Sequence, residues 1–479
     1  MHDGPNSKPS NRDWLILAAL LALAILIRLP RVGAMESAYD YLTSHTALTV
    51  RIWQTAGLAA SHYSLIMNWP NPADRHIADP VMPLTDAAGN FYYCSFPPFG
   101  FYLAYGFFAL TGQGTPLMDL RVLMWLFSTA GALALWRVCR RAGLAHASTA
   151  AAVFLLAPTG LYFYGLAFYG TVLSIPMWMI LVLVALDEEH PRPWLVALLA
   201  FLLCYTDWAG YPAVVPLALV WLWRRNWRMA AALCAGPVLA AALMSATYAS
   251  VAGWEPFLVA LRARFSERSG QTTGAMYAIA RNYYLGYAPV VLLFAVAALP
   301  WSKPRLTRQT RTLLFCFMLP VVLDHLLLMN HTANHRYAVL KTAPAIGVAL
   351  AILLNARRRR NLYLDVAAGT AALAWSVAMY YQRPIGTDPG LAALAKVVQY
   401  QAGTDRVLFL ETHPGGARTA EPPLVLLTER NFHPVADMAQ ARQKLKDLGV
   451  AKGLYVGLTH SRPASATAIP IEASPDPVR

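Results

Sequence analysis

The sequence predicts an α-helical polytopic membrane protein of about 11–12 transmembrane helices, with a small C-terminal α/β domain on the extracytoplasmic side. Three observations carry this reading. The 479 residues are 57% hydrophobic and only 13% charged, with a mean hydropathy of +0.41. A soluble domain carries roughly 25% charged residues and has no core able to hide this much apolar surface. Long apolar runs alternate with short basic clusters, and the composition shifts after residue 381. Disordered chains and ordinary soluble enzymes are excluded.

The net charge of +14 belongs to that pattern. Arg137, Arg140 and Arg141 form one cluster; Arg224, Arg225 and Arg228 a second; Lys303, Arg305, Arg308 and Arg311 a third; Arg357 to Arg360 a fourth. Clusters between apolar runs follow the positive-inside rule. Nucleic acid would require a basic face on a soluble domain, and none is present. The five cysteines read as small buried hydrophobes, without CxxC or zinc spacing.

Taken in order, residues 1–29 are a polar start and a first apolar run at 14–27. Val32-Gly33-Ala34 has the form of a signal-peptidase site, but a retained anchor is expected, because the later runs need a first span to orient them. Residues 30–96 are a long polar-aromatic loop, a length usually reserved for function. Apolar runs follow at 97–112, 118–136, 148–164, 168–186, 194–206, 211–223, 229–252, 285–301, 312–329, 338–355 and 362–381. The basic clusters place 164–168, 206–211, 253–284, 330–337 and everything after 381 outside. If 14–27 runs outward and 118–136 returns inward, 97–112 does not fully cross, which leaves about 11 true spans with the N-terminus inside. The tail, 383–479, reads as a helix (391–401), a strand (406–411), a strand-like run (424–427), a helix (437–448) and a strand (453–458), with a frayed end.

The unusual polar residues gather outside. The segment ESAYDYLTSHTALTVRIWQTAGL has apolar residues at helical spacing and reads as a helix on the membrane surface. Glu36 and Asp40 are four apart and share a face. Two carboxylates beside an apolar body suit a general base, since partial burial and mutual repulsion raise a carboxyl pKa; a solvated helix start explains them equally. Asp207 and Trp208 lie in an aromatic turn. His331, His335, Arg336 and Lys341 make a plausible phosphate site near the outer surface, where lipid headgroups would also attract them. Asp324 and His325 interrupt an apolar run, which marks a cavity or a partner. Arg262, Arg264, Arg268 and Arg281 add external positive charge able to steer an anionic lipid phosphate.

The order of these parts resembles the GT-C class of integral-membrane glycosyltransferases, and most of all its family 39-like members, the protein O-mannosyltransferases and the lipid A aminoarabinose transferase. Three stretches carry the resemblance: the acid-plus-helix segment quoted above, GNFYYCSFPPFGFYLAYGFFAL with its Pro97-Pro98 pair, and HRYAVLKTAPAIGVALAI with Arg336-Tyr337. Two departures stand out. The family's adjacent Asp-Glu pair is absent, because Met35 precedes Glu36, and Phe96 replaces the lysine that precedes Pro-Pro and helps bind the donor phosphate.

The resemblance implies a glycosyltransferase of the cell envelope, in a bacterial inner or plasma membrane, with its site facing the periplasm or exterior. It would move a hexosyl or pentosyl unit from a polyprenyl-phosphate donor to a glycan, lipid or protein hydroxyl. Asp40 then fits the catalytic base, with Glu36 second. Arg75, His335, Arg336 and Lys341 would take the donor phosphate, and His45, Tyr93, Ser95, Asp207 and Trp208 would shape the substrate pocket. No metal site and no certain cofactor follow, although Asp40, Glu36, Asp207 or a histidine offers ligands suited to magnesium or manganese. A lipid-linked sugar carrier or flippase, or a non-catalytic membrane binding protein, is the competing class; transporters show paired halves and midplane sites, and this chain shows neither.

Overall fold

The computed structural model describes residues 10–34, 40–69, 84–111, 116–270, 273–298, 306–357, 361–385, 389–401, 406–411, 421–459 and 465–472. The chain divides into two compact units, one of residues 1–33, 96–245 and 264–384, the other of residues 34–95, 246–263 and 385–479.

The first unit is helical. It contains α1 (Asn11–Arg28), then, after α2 (Asp40–Ala56) of the second unit, α3 (Phe99–Thr111), α4 (Pro116–Arg141), α5 (Ala147–Leu156), α6 (Pro158–Leu166), α7 (Gly170–Ala185), α8 (Pro193–Cys204) and α9 (Gly210–Trp223). α10 (Trp227–Ala252) and α11 (Trp254–Ser269), whose residues 246–263 belong to the second unit, carry the chain onward to α12 (Ala275–Ala297), α13 (Arg308–Leu327), α14 (Met329–Asn334), α15 (Ala343–Ala356) and α16 (Leu362–Tyr381). Among the described residues seven helices are long and apolar enough to cross a membrane; α5 and α6, bent by 56° to one another, qualify together, and α3, α7, α8 and α9 are shorter apolar helices. This is the expected polytopic helical fold. At 13 residues α3 is about 20 Å long.

Local chemistry explains the boundaries. Ser10 accepts from the Asp13 N–H while Asp13 reaches back to the Ser10 N–H, a reciprocal cap on α1. Close-packed pairs use small residues, as lipid-solvated helices must. A Cβ at Gly347 of α15 would meet the Ala150 carbonyl of α5 at 2.8 Å. The apolar run 148–164 is broken, because Ala157 is extended and Pro158 opens a new helix. The buried Arg28 guanidinium bridges that break, donating to the carbonyls of Leu155 at 2.8 Å and Gly160 at 3.2 Å. Arg31 likewise donates to the carbonyls of Tyr380, Tyr381 and Arg383 at the end of α16. Freed backbone acceptors in a membrane domain thus gain charged donors.

The expected loop 253–284 is mostly helix, and the span expected at 285–301 begins at Ala275. The physical reason is Asn282: buried one turn before the apolar stretch, it donates to the carbonyls of Thr332 and Ala333, so a polar helix start is satisfied internally.

The second unit joins α2 to the tail, in which α17 (Pro389–Gln401), β1 (Val407–Glu411), α18 (Glu421–Thr428), β2 (His433–Val435), α19 (Met438–Asp447), β3 (Lys452–Thr459) and β4 (Ser465–Glu472) follow in order. The sheet order is β2-β1-β3-β4, parallel except for β4. Val407, Phe409, Val435, Ala441, Leu445, Tyr455 and Ile471 form its core. Two tail expectations are corrected. Residues 424–427 belong to α18, where Pro422 and Pro423 occupy the first helical turn, as suits their fixed φ, and Leu424 and Val425 are buried. The supposedly frayed end holds β4, an edge strand that tolerates Pro470 because its outer side needs no ladder bond.

Candidate functional site

In the first unit the turn between α8 and α9 holds Asp207. It is only 3% exposed; it accepts from the Thr171 hydroxyl at 2.7 Å and from the Ala209 N–H at 2.8 Å. Gly170 makes room for the turn, since a Cβ there would stand 2.9 Å from the Thr206 carbonyl oxygen. Burial pushes the Asp207 carboxyl above its usual range, while Lys341 and the two hydrogen bonds pull it down. Asp207 is therefore enclosed and positioned rather than presented to solvent. Trp208 stacks on Tyr211 with ring centroids 5.6 Å apart.

Lys341 is not a bare cation. Its Nζ donates to both carboxylate oxygens of Asp324 at 2.7 Å, with both side chains buried. Asp324, within the apolar run, thus has its partner. Beside this pair the Tyr283 hydroxyl joins His325 Nε2 at 2.9 Å and Thr342 Oγ1 at 2.8 Å.

The turn 330–337 packs its rings together. His331 and His335 lie 4.6 Å apart, His335 stacks on Tyr337 at 5.1 Å, and Tyr337 meets Tyr169 at 5.1 Å. Tyr169 in turn meets Phe96 at 4.7 Å, and the Arg268 guanidinium sits over the Phe96 ring at 4.7 Å. Burial, then Arg268, Arg264 and Lys341, push the His335 imidazole down to about 4. His331 is depressed by burial, His335 and the same cations. Both rings are neutral near pH 7, and the positive charge around them resides on arginine. Arg264 is paired with Glu267. Arg336 and Arg383 line a cleft with Tyr162 and Asn282. Along the same helices a groove of about 450 Å³ runs between α1, α5, α12, α15 and α16, lined by Leu20, Val153, Pro289, Leu293 and Ala372.

The remaining candidates lie in the second unit. His45 of α2 is buried, its ring edge-on to Tyr93 at 5.2 Å, and burial pushes its imidazole down to about 3 against a hydrogen bond that the ring donates to the Ile66 backbone. Tyr93 and Ser95 are buried, and the Tyr93 carbonyl accepts from the Tyr248 hydroxyl at 3.1 Å. Asp40 is the first residue of α2, and its side chain lies outside the described residues, as do Glu36 and Arg75. Sequence reasoning passed over the ring series from His331 to Phe96 and the placement of Arg268. The available signal was Arg264 and Arg268 at i,i+4 on one helix. Among the described residues no three His, Cys, Asp or Glu side chains stand together as a metal site.

No family model and no curated protein sequence matches the chain. Solved structures do. The chain is similar to ArnT from Cupriavidus metallidurans bound to undecaprenyl phosphate, at 12% identity and a TM-score of 0.55, over 94% of both chains. It is also similar to the oligosaccharyltransferase AglB from Archaeoglobus fulgidus in complex with an inhibitory peptide and a dolichol-phosphate, at 14% identity and a TM-score of 0.55, over 93% of this chain and 70% of that one. The apo oligosaccharyltransferase of the same archaeon gives 12% identity and a TM-score of 0.56, over 92% of this chain and 69% of that one. These likenesses show that the chain shares the fold of these structures, as the resemblance read from the sequence led us to expect.

Proposed function

We propose that this protein is a membrane glycosyltransferase that takes a sugar from a polyprenyl-phosphate donor and transfers it to an acceptor hydroxyl on the outer face of the membrane. The observation that carries the reading is the whole-length fold likeness to ArnT, a structure bound to undecaprenyl phosphate. Two features of this chain support it. The apolar groove along α12 and α16 suits a prenyl chain, and it borders the cleft holding Arg336 and Arg383. Arg268 brings a guanidinium to the face of Phe96, the residue that replaces the family's lysine before Pro97-Pro98.

In the proposed reaction the acceptor oxygen attacks the anomeric carbon and the bond from that carbon to the phosphate oxygen breaks. The acceptor proton passes to the Asp40 carboxylate, with Glu36 as the alternative base. Polyprenyl phosphate leaves with its charge held by Arg268 and Arg336, while neutral His331 and His335 supply N–H donors. Phosphate is already a good leaving group, so no separate general acid is required. Asp207, clamped by Thr171 and Ala209, shapes the turn behind these groups. A divalent cation at the carboxylates is compatible with this scheme and is not required by it.

The test is release of polyprenyl phosphate by purified protein supplied with a panel of prenyl-phosphate sugars and a membrane extract, run beside Asp40→Asn. We expect transfer by the wild type and a loss of about 10²–10⁴-fold in the variant, the size of a general-base contribution. Transfer that survives Asp40→Asn moves the base to Glu36. Donor binding without turnover for any sugar overturns the transferase reading in favour of a carrier.

A further inference from the structure

α11 is not among the described helices long and apolar enough to cross a membrane, yet both of its neighbours in the chain are. Only Gly253 separates its first residue from the end of α10, a candidate span, and five residues separate its last from the start of α12, another. Both corners turn on glycines in the left-handed region, Gly253 at φ +94° and Gly274 at φ +83°. Chain connectivity therefore ties both ends of this 16-residue helix to candidate spans.

α11 carries an apolar stripe that no described residue covers. Trp254, Leu258 and Phe265 are 58%, 45% and 56% exposed, and with half-buried Leu261 they recur at i, i+4, i+7 and i+11 along one line of the helix. Phe257 and Ala260 on the opposite flank are buried. Arg262 borders the stripe on its exposed side. The next residues to be exposed after the corner, Met276 and Tyr277 at 69% and 77%, are again an apolar and an interfacial type.

We propose that α11 is an interfacial helix whose Trp254–Leu258–Leu261–Phe265 stripe is seated in the acyl boundary of the outer leaflet, with Arg262 among the headgroup phosphates. The occupant of this surface is the bilayer itself. The assignment does not depend on the transferase reading. It has a consequence for that reading, because Arg264 and Arg268 project from the adjoining line of the same helix, about one-fifth of a turn away. Seating the stripe fixes their height above the membrane.

The test places a nitroxide at Leu258→Cys, Phe265→Cys or Ser266→Cys in the full-length protein with Cys234→Ser, reconstituted in phosphatidylcholine–phosphatidylglycerol nanodiscs. The substituted positions are exposed, so folding should be retained, and the separate labels check one another. Collision rates with oxygen and with a water-soluble nickel chelate report depth. We expect the labels at 258 and 265 to favour oxygen and to lie roughly 5–10 Å below the phosphates, with 266 favouring nickel. Nickel access at 258 and 265 equal to that at 266 overturns the proposal by placing the helix in water. Immobile labels reached by neither reagent overturn it in favour of a protein partner on the stripe.

Discussion

Lys341 and Asp324, seventeen residues apart, meet as a bidentate pair at 2.7 Å in the interior of the helical unit. The two side chains are 6% and 2% exposed, so neither charge has water to fall back on. Removing one partner strands the other. We expect Lys341→Met to lower stability by about 3–5 kcal/mol, and the double variant Lys341→Met, Asp324→Leu to recover most of that loss. Thermal unfolding of the purified variants checks it, and a double variant as unstable as the single one would show that the pair is not the stabilising unit.

Arg28 holds the broken helix pair α5–α6 through two main-chain acceptors. A charged hydrogen bond contributes about 1.5–3 kcal/mol, so Arg28→Met should destabilise by roughly 3 kcal/mol or more. Arg28→Lys, with one compact ammonium instead of a planar fork, should rescue only part. Chemical unfolding followed by circular dichroism distinguishes the two.

His45 makes stability depend on pH. Its folded pKa of about 3 lies below the unfolded value of about 6.5, so the unfolded chain binds the extra proton first. The contribution is complete above about pH 6.5 and declines as pH falls toward the folded pKa. One unit is about 1.4 kcal/mol, which gives a loss of about 2 kcal/mol between pH 7 and pH 5. His45→Phe, which keeps a ring against Tyr93, should flatten this slope. An unchanged slope would assign the acid sensitivity elsewhere.

Arg268 over Phe96 predicts an exchangeable cation. Arg268→Ala should weaken donor binding by about 10–100-fold, the worth of a charge-assisted contact to phosphate. Adding Phe96→Lys to that variant should restore part of the affinity, because the new ammonium starts from the ring that Arg268 covers. Binding of a labelled prenyl-phosphate sugar measures both, and a double variant no better than the single one separates the two positions.

The spans were legible because hydropathy and basic clusters act over twenty residues at a time. The break at Ala157 was hidden inside a continuous apolar run; Pro158 was its only signal. α18 escaped because four apolar residues do not define a period, and β4 because alanine and serine are weak strand formers. At the site, sequence identified the residue types at 330–341 but not their partners. That Asp324 claims Lys341, or that Tyr169 and Tyr337 connect His335 to Phe96, depends on helix packing no local pattern encodes.

The clasp on α5–α6 also orders the chain in time. Arg28 of α1 is made well before its acceptor at Leu155, which lies 127 residues later. At 5–20 residues per second the ribosome takes about 6–25 s to supply it. Through that interval α1 must keep a guanidinium at its end solvated by water or lipid phosphate, as a long side chain at a helix terminus does by reaching for the interface. α1 is therefore made in an unfinished state and is locked only when α6 arrives, so faults in residues 155–160 should reveal themselves as a mis-seated α1.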